Sequence, residues 1–64
     1  MANMTVTVPE VRIGDVIIER DDRGRVSNRI PVKTITTPRL STYRYVNTSL
    51  RYDDVCSVEI IRPV

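Results

Sequence analysis

Ser41-Thr42-Tyr43-Arg44-Tyr45-Val46-Asn47-Thr48, followed at once by Ser49-Leu50-Arg51-Tyr52, is the stretch that decides the fold. Its first part is rich in Thr, Tyr and Val, has no internal Gly or Pro, and predicts a strand. Side chains alternate across a strand, so Tyr43 and Tyr45 share one face while Arg44 and Val46 share the other. Leu50-Arg51-Tyr52 predicts a hairpin partner reached through Asn47-Thr48. In that register Tyr45 lies opposite Leu50, Tyr43 opposite Tyr52, and Arg44 opposite Arg51. One face is then apolar and aromatic, and the other carries like charges side by side. A slip by one further pair of residues keeps the tyrosines together and sets Arg44 opposite Asp53.

Working outward, residues 1–10 predict a lead-in or edge strand, with Thr5 to Val8 alternating and Pro9 ending the run. Gly14-Asp15 breaks a short alternating piece, and Asp15 to Arg20 predicts a strand. Asp21-Asp22-Arg23-Gly24 predicts a turn, with Gly24 in the left-handed position that closes a bulged hairpin. Arg25 to Thr37 is long and changes parity, which predicts a bend at Pro31, since proline donates nothing to a ladder. Thr37-Pro38-Arg39-Leu40 predicts a turn with Pro38 in its second place. Asp53 is expected to cap a single 3₁₀ turn, and Ser57 to Arg62 to close the fold. Helical periodicity is missing throughout. The expected fold is all-β, a single five-stranded barrel over residues 11–62 with one short 3₁₀ turn near Asp53. Its core is expected to hold Val16, Ile18, Ile30, Tyr43, Tyr45, Leu50, Val58 and Ile60.

Size limits what such a core supplies. A chain of 64 residues buries only about 60% of the surface it exposes when unfolded. Cys56 is the lone cysteine, so no internal disulfide adds to that. A single thiol fits a reducing compartment, and Met1 to Pro9 has neither a basic start nor a long apolar run, so a cytoplasmic protein is expected. The longest apolar run is Val16-Ile17-Ile18, too short to span a membrane. Ten basic and eight acidic residues leave a net charge of +2. They are interleaved, so the charge permits an anionic partner without demanding one.

Five short strands, a polar turn after the first, tight turns between the next three and a 3₁₀ turn before the last resemble the order of SH3-like small barrels. Gly14-Asp15-Val16-Ile17, with Gly24-Arg25-Val26 after it, resembles the opening of the KOW-type modules of ribosomal and transcription-elongation proteins. That resemblance implies a small binding barrel. The chain has no Trp or Phe, which argues against the aromatic groove of peptide-binding SH3 domains.

Two readings compete for the tyrosines: core filling, and a platform on which bases stack. Core is the reading adopted, because turning the tyrosines outward would turn Arg44 inward. Arg44 and Arg51, with Arg39 and Lys33, form the candidate nucleic-acid-binding set, since adjacent arginines repel and an anion would relieve them. Arg20, Arg23, Arg25 and Arg29 sit among Glu19, Asp21 and Asp22 and read as a self-neutralising loop. Asp53-Asp54 lacks the third ligand a metal needs. Cys56 has no histidine to act as its base, which argues against nucleophilic catalysis. Neither a cofactor nor a metal is expected. The expected function is a non-enzymatic module binding nucleic acid through an arginine-bearing sheet face. The alternative is a protein-docking or adaptor module that uses a sheet edge or the tyrosine hairpin, with a homodimer through Thr5 to Val8 as one form.

Overall fold

The computed structural model describes residues 2–63, so Met1 of the expected lead-in lies outside the described residues. Within that span the chain is all-β, built of two antiparallel sheets. The first is ordered β1 (Ala2–Thr7), β7 (Ser57–Arg62), β2 (Val16–Arg20), β3 (Val26–Pro31). The second is ordered β4 (Ile35–Thr36), β5 (Tyr43–Val46), β6 (Leu50–Asp53).

The β-branched run Val16-Ile17-Ile18 makes β2 the centre of the first sheet, with β7 on one side and β3 on the other. Met4, Ile60, Ile17 and Ile30 stand in one row across all four strands, each the register partner of the next. Ile60 and Ile17 are almost wholly buried. Facing this row from the second sheet are Val46, Ile35, Leu50 and Tyr52, and Val11 and Val32 pack into the same cluster. This is the core, formed where the inner faces of the two sheets meet.

Seven strands in two sheets therefore stand where five in one barrel were expected. Two physical causes account for the difference. Pro31 has no N–H to donate, so the long third run splits there into β3 and β4 and crosses between sheets. The N-terminal stretch forms a complete strand on β7, which buries Val6, with Val8 buried just after it.

Local turns follow the sequence in part. Asp21 to Arg25 closes the β2–β3 hairpin as expected. Gly24 has φ +78°, its N–H donates to the Asp21 carbonyl, and the Asp21 carboxylate accepts from the N–H groups of Arg23 and Arg25. The 3₁₀ turn is elsewhere: Val8–Glu10, with Pro9 as its second residue. At Asp53 a plain turn closes on the Cys56 N–H, and the Asp53 carboxylate lies 3.7 Å from Arg51 instead of capping. Pro38 opens its turn rather than taking second place, since its carbonyl accepts from the Ser41 N–H and hydroxyl.

The largest correction is the register of β5 on β6. The pairs are Tyr43↔Asp53, Arg44↔Tyr52, Tyr45↔Arg51 and Val46↔Leu50. The loop has three residues, 47–49, not the expected two. A one-residue slip flips every side chain to the other face. Val46 thus enters the core, while Tyr43 and Tyr45 turn away from it. Two things hold the slipped register. Val46 is 2% exposed, and Asn47 straps the loop down. Its Oδ1 accepts from the N–H groups of Lys33 and Thr34, its Nδ2 donates to the Pro31 carbonyl, and its own N–H donates to the Thr34 carbonyl. Asn47 and Thr48 take left-handed φ of 54° and 69° to allow this. Of the expected core, Ile18, Ile30 and Ile60 are buried, whereas Val16, Leu50, Val58 and the two tyrosines are half-buried.

Candidate functional site

The outer face of the second sheet is built by the alternation of β5 and β6. Tyr43 and Tyr45, two residues apart on one strand, meet edge to face with ring centroids 5.6 Å apart. Arg51 is the register partner of Tyr45 and the diagonal neighbour of Tyr43. Its guanidinium carbon lies 4.2 Å above the centroid of the Tyr43 ring. A cation over an aromatic face in an exposed setting is worth about 0.5–1 kcal/mol. Asp53 completes the row beside Tyr43, and Thr36 lies across from Tyr45 on β4. The Arg51–Asp53 pair has both side chains more than half exposed, so it contributes little to stability and yields readily to a competing anion.

Arg44 stands apart from this face. It shares the inner side with Val46 and Tyr52 and donates through Nε to Asp54 Oδ1 at 3.2 Å. The expected face carrying Arg44 and Arg51 together is therefore not formed; the register separates them. Asp53 and Asp54 diverge for the same reason, each toward its own arginine. Burial answers the concern about an inward Arg44: it lies only partly covered and is paired, so no unpaired charge is buried.

Arg39 is exposed in the turn that leads into β5. Lys33 is exposed in the link between β3 and β4, where its N–H is bonded to Asn47 just past the end of β5. The two cations thus flank the tyrosine strand at opposite ends. Tyr52, the third tyrosine, packs against the core, and burial, with Glu19 nearby, raises its phenol above the ordinary value.

Two further ion pairs lie outside this sheet. Arg20 holds Glu59 through two bonds of 2.7 and 3.0 Å and also donates to the Gly24 carbonyl. That pairing holds the Glu59 carboxyl below its usual value. Asp15 is buried and accepts from Arg62 through both oxygens at 2.9 Å, and from the Arg12 N–H. The Arg62 bonds keep the Asp15 carboxyl low despite burial. A shallow depression of about 210 Å³ lies over this pair, lined by Arg12, Ile13, Gly14 and Pro63 as well. The pair spans 47 positions of the chain, and no local pattern announces it. Among the described residues, no cluster of three or more His, Cys, Asp or Glu side chains could hold a metal. None of their helices is long and apolar enough to cross a membrane.

No family model matches this chain, and no curated protein or solved structure is significantly similar to it.

Proposed function

We propose that this chain is a non-enzymatic module that binds single-stranded nucleic acid on the outer face of β4-β5-β6. One observation carries the reading: the slipped hairpin register turns Tyr43 and Tyr45 outward in company with Arg51. Half-buried rings on the outer sheet face, flanked by cations, suit unpaired bases, whose stacking is worth about 1–3 kcal/mol each whatever the sequence. A duplex keeps its base faces stacked inside, so the single strand is the better ligand. Arg51, Arg39 and Lys33 are the phosphate contacts in this reading. Arg44 is a structural partner of Asp54 instead.

An SH3-like small barrel with β1 added is the fold this reading assumes. It is supported by the order β7-β2-β3 continuing into β4-β5-β6, with β3 and β4 as halves of one interrupted run. The KOW-like opening at Gly14-Asp15-Val16-Ile17 points the same way. With no histidine in the chain, nothing stands ready to activate the Cys56 thiol, and an exposed free thiol suits a reducing, cytoplasmic setting. A protein-docking function of the same hairpin is the second reading. It is favoured by Leu40 and Val55, which are 98% and 88% exposed in the loops at one end of the second sheet.

The test is fluorescence anisotropy with short single- and double-stranded DNA and RNA at two salt concentrations. Binding should saturate for single strands and weaken with salt, because neutralised phosphates release counterions. Arg51→Gln should lower the salt slope by about one, and Arg44→Gln should leave it unchanged. Tyr45→Ala should weaken binding by about tenfold, toward the low end of the stacking range, while the melting temperature falls only slightly. No saturable, salt-sensitive binding to any of the four ligands would sink this reading. A partner retained after nuclease treatment would then favour the second.

A further inference from the structure

We infer that the chain forms a twofold dimer by antiparallel pairing of β1 with β1 of a second copy. Among the described residues β1 pairs with β7 alone, so along its other edge every second N–H and C=O of Asn3–Thr7 has no ladder partner. Such edges are templates for another strand, and proteins that stay monomeric blunt them with charge, proline or bulges. β1 has none of these. Asn3-Met4-Thr5-Val6-Thr7 is uncharged, lacks Pro and Gly, and runs in unbroken register along β7.

The other edges are guarded. β3 carries Arg29, ends at Pro31 and is itself interrupted by a register irregularity opposite Glu19 and Arg20. β4 is two residues long. β6 displays Arg51 and Asp53.

The occupant is a second copy because the edge is complementary to itself. Antiparallel self-pairing centred on Thr5 sets Met4 of one copy beside Val6 of the other, and Thr5 beside Thr5. Met4 and Val6 lie on the core side, so the apolar row Met4, Ile60, Ile17, Ile30 continues into the second copy. On the other face only Asn and Thr side chains meet, and no like charges oppose one another. A twofold contact closes both β1 edges at once and leaves no β1 edge open for further addition. The gain is large for a chain with so small a core.

The test is analytical ultracentrifugation of the full chain from micromolar to millimolar, beside Thr5→Lys/Thr7→Lys. Both threonines are exposed, so the variant keeps the fold by circular dichroism. The wild type should shift from one to two chain masses with concentration, while the variant stays at one. In the wild type alone, amides of residues 3–7 should exchange more slowly when concentrated than when dilute. A wild type that stays monomeric throughout would overturn the proposal. So would a dimer that persists in the variant, or one whose amides 3–7 exchange equally fast at both concentrations.

Discussion

Asp15 shows at the residue scale how this small fold tolerates a buried charge. Its carboxylate takes both bonds from Arg62 and a third from the Arg12 N–H, so none of its burial goes uncompensated. Arg62 keeps access to water, so what Asp15→Asn loses is the charge-assisted part of these bonds, about 1.5–3 kcal/mol. The variant should be less stable by about that much at neutral pH, measured by urea unfolding. The pH dependence has a definite sign. The carboxyl is held below its unfolded value of 3.8, so its stabilisation is complete above that value and is lost as pH falls through the lower folded one. Glu59, held low by Arg20, acts in the same direction. The wild type should therefore lose stability as the pH drops below about 4, and Asp15→Asn should lose less over that interval. An equal loss in both would remove Asp15 from the account. Gly14-Asp15 is legible in the sequence as a turn, and the Arg12 and Asp15 backbone bond agrees. The partnership with Arg62 is not legible, because it depends on where β7 lies and nothing near Asp15 encodes that.

At the scale of elements, Asn47 decides which face the tyrosines occupy. A two-residue loop through Asn47-Thr48 is the natural reading of the hairpin, yet the side chain of Asn47 makes three bonds to residues 31–34 and fixes a three-residue loop. Asn47→Ala would leave those backbone groups without their partner. These bonds are exposed and water replaces them in part, so the loss should be about 0.5–1.5 kcal/mol, seen as a lower midpoint of unfolding. The variant should also loosen the register, seen as faster amide exchange across residues 43–53. Unchanged stability and exchange would show that Val46 burial alone sets the register. The strands themselves are legible in their Val, Ile, Thr and Tyr content, and so is the break at Pro31. Register is not, because it rests on a side chain reaching across 16 positions to the Pro31 carbonyl. The residue types, Tyr43, Tyr45 and Arg51, stand plainly in the sequence, but their common outward face follows only from the slip.

For the whole molecule, the N-terminal strand is a structural member and not an appendage. Val6 and Val8 are 8% and 3% exposed, and Met4 packs on the same core. Deleting residues 1–8 would bare Ile60, the most buried side chain among the described residues. Losing several buried aliphatic groups at about 1.5–3 kcal/mol each exceeds what a domain of this size can spare. The shortened chain should show no cooperative thermal transition. A cooperative melt near the wild-type temperature would mean that β1 lies on the fold without supporting it. The alternation of Thr5 to Val8 makes a strand legible there, but the partner lies fifty or more positions away, with Ala2 beside Arg62 and Thr7 beside Ser57. That pairing bears on synthesis. As the chain emerges from the ribosome, β1 is the first of these strands to be made and must wait for β7, the last. Until then its threonines and its one valine are free to find strands on neighbouring nascent chains. Closing so distant a pair is slow, and the interval before closure is when this sequence is most exposed to mispairing.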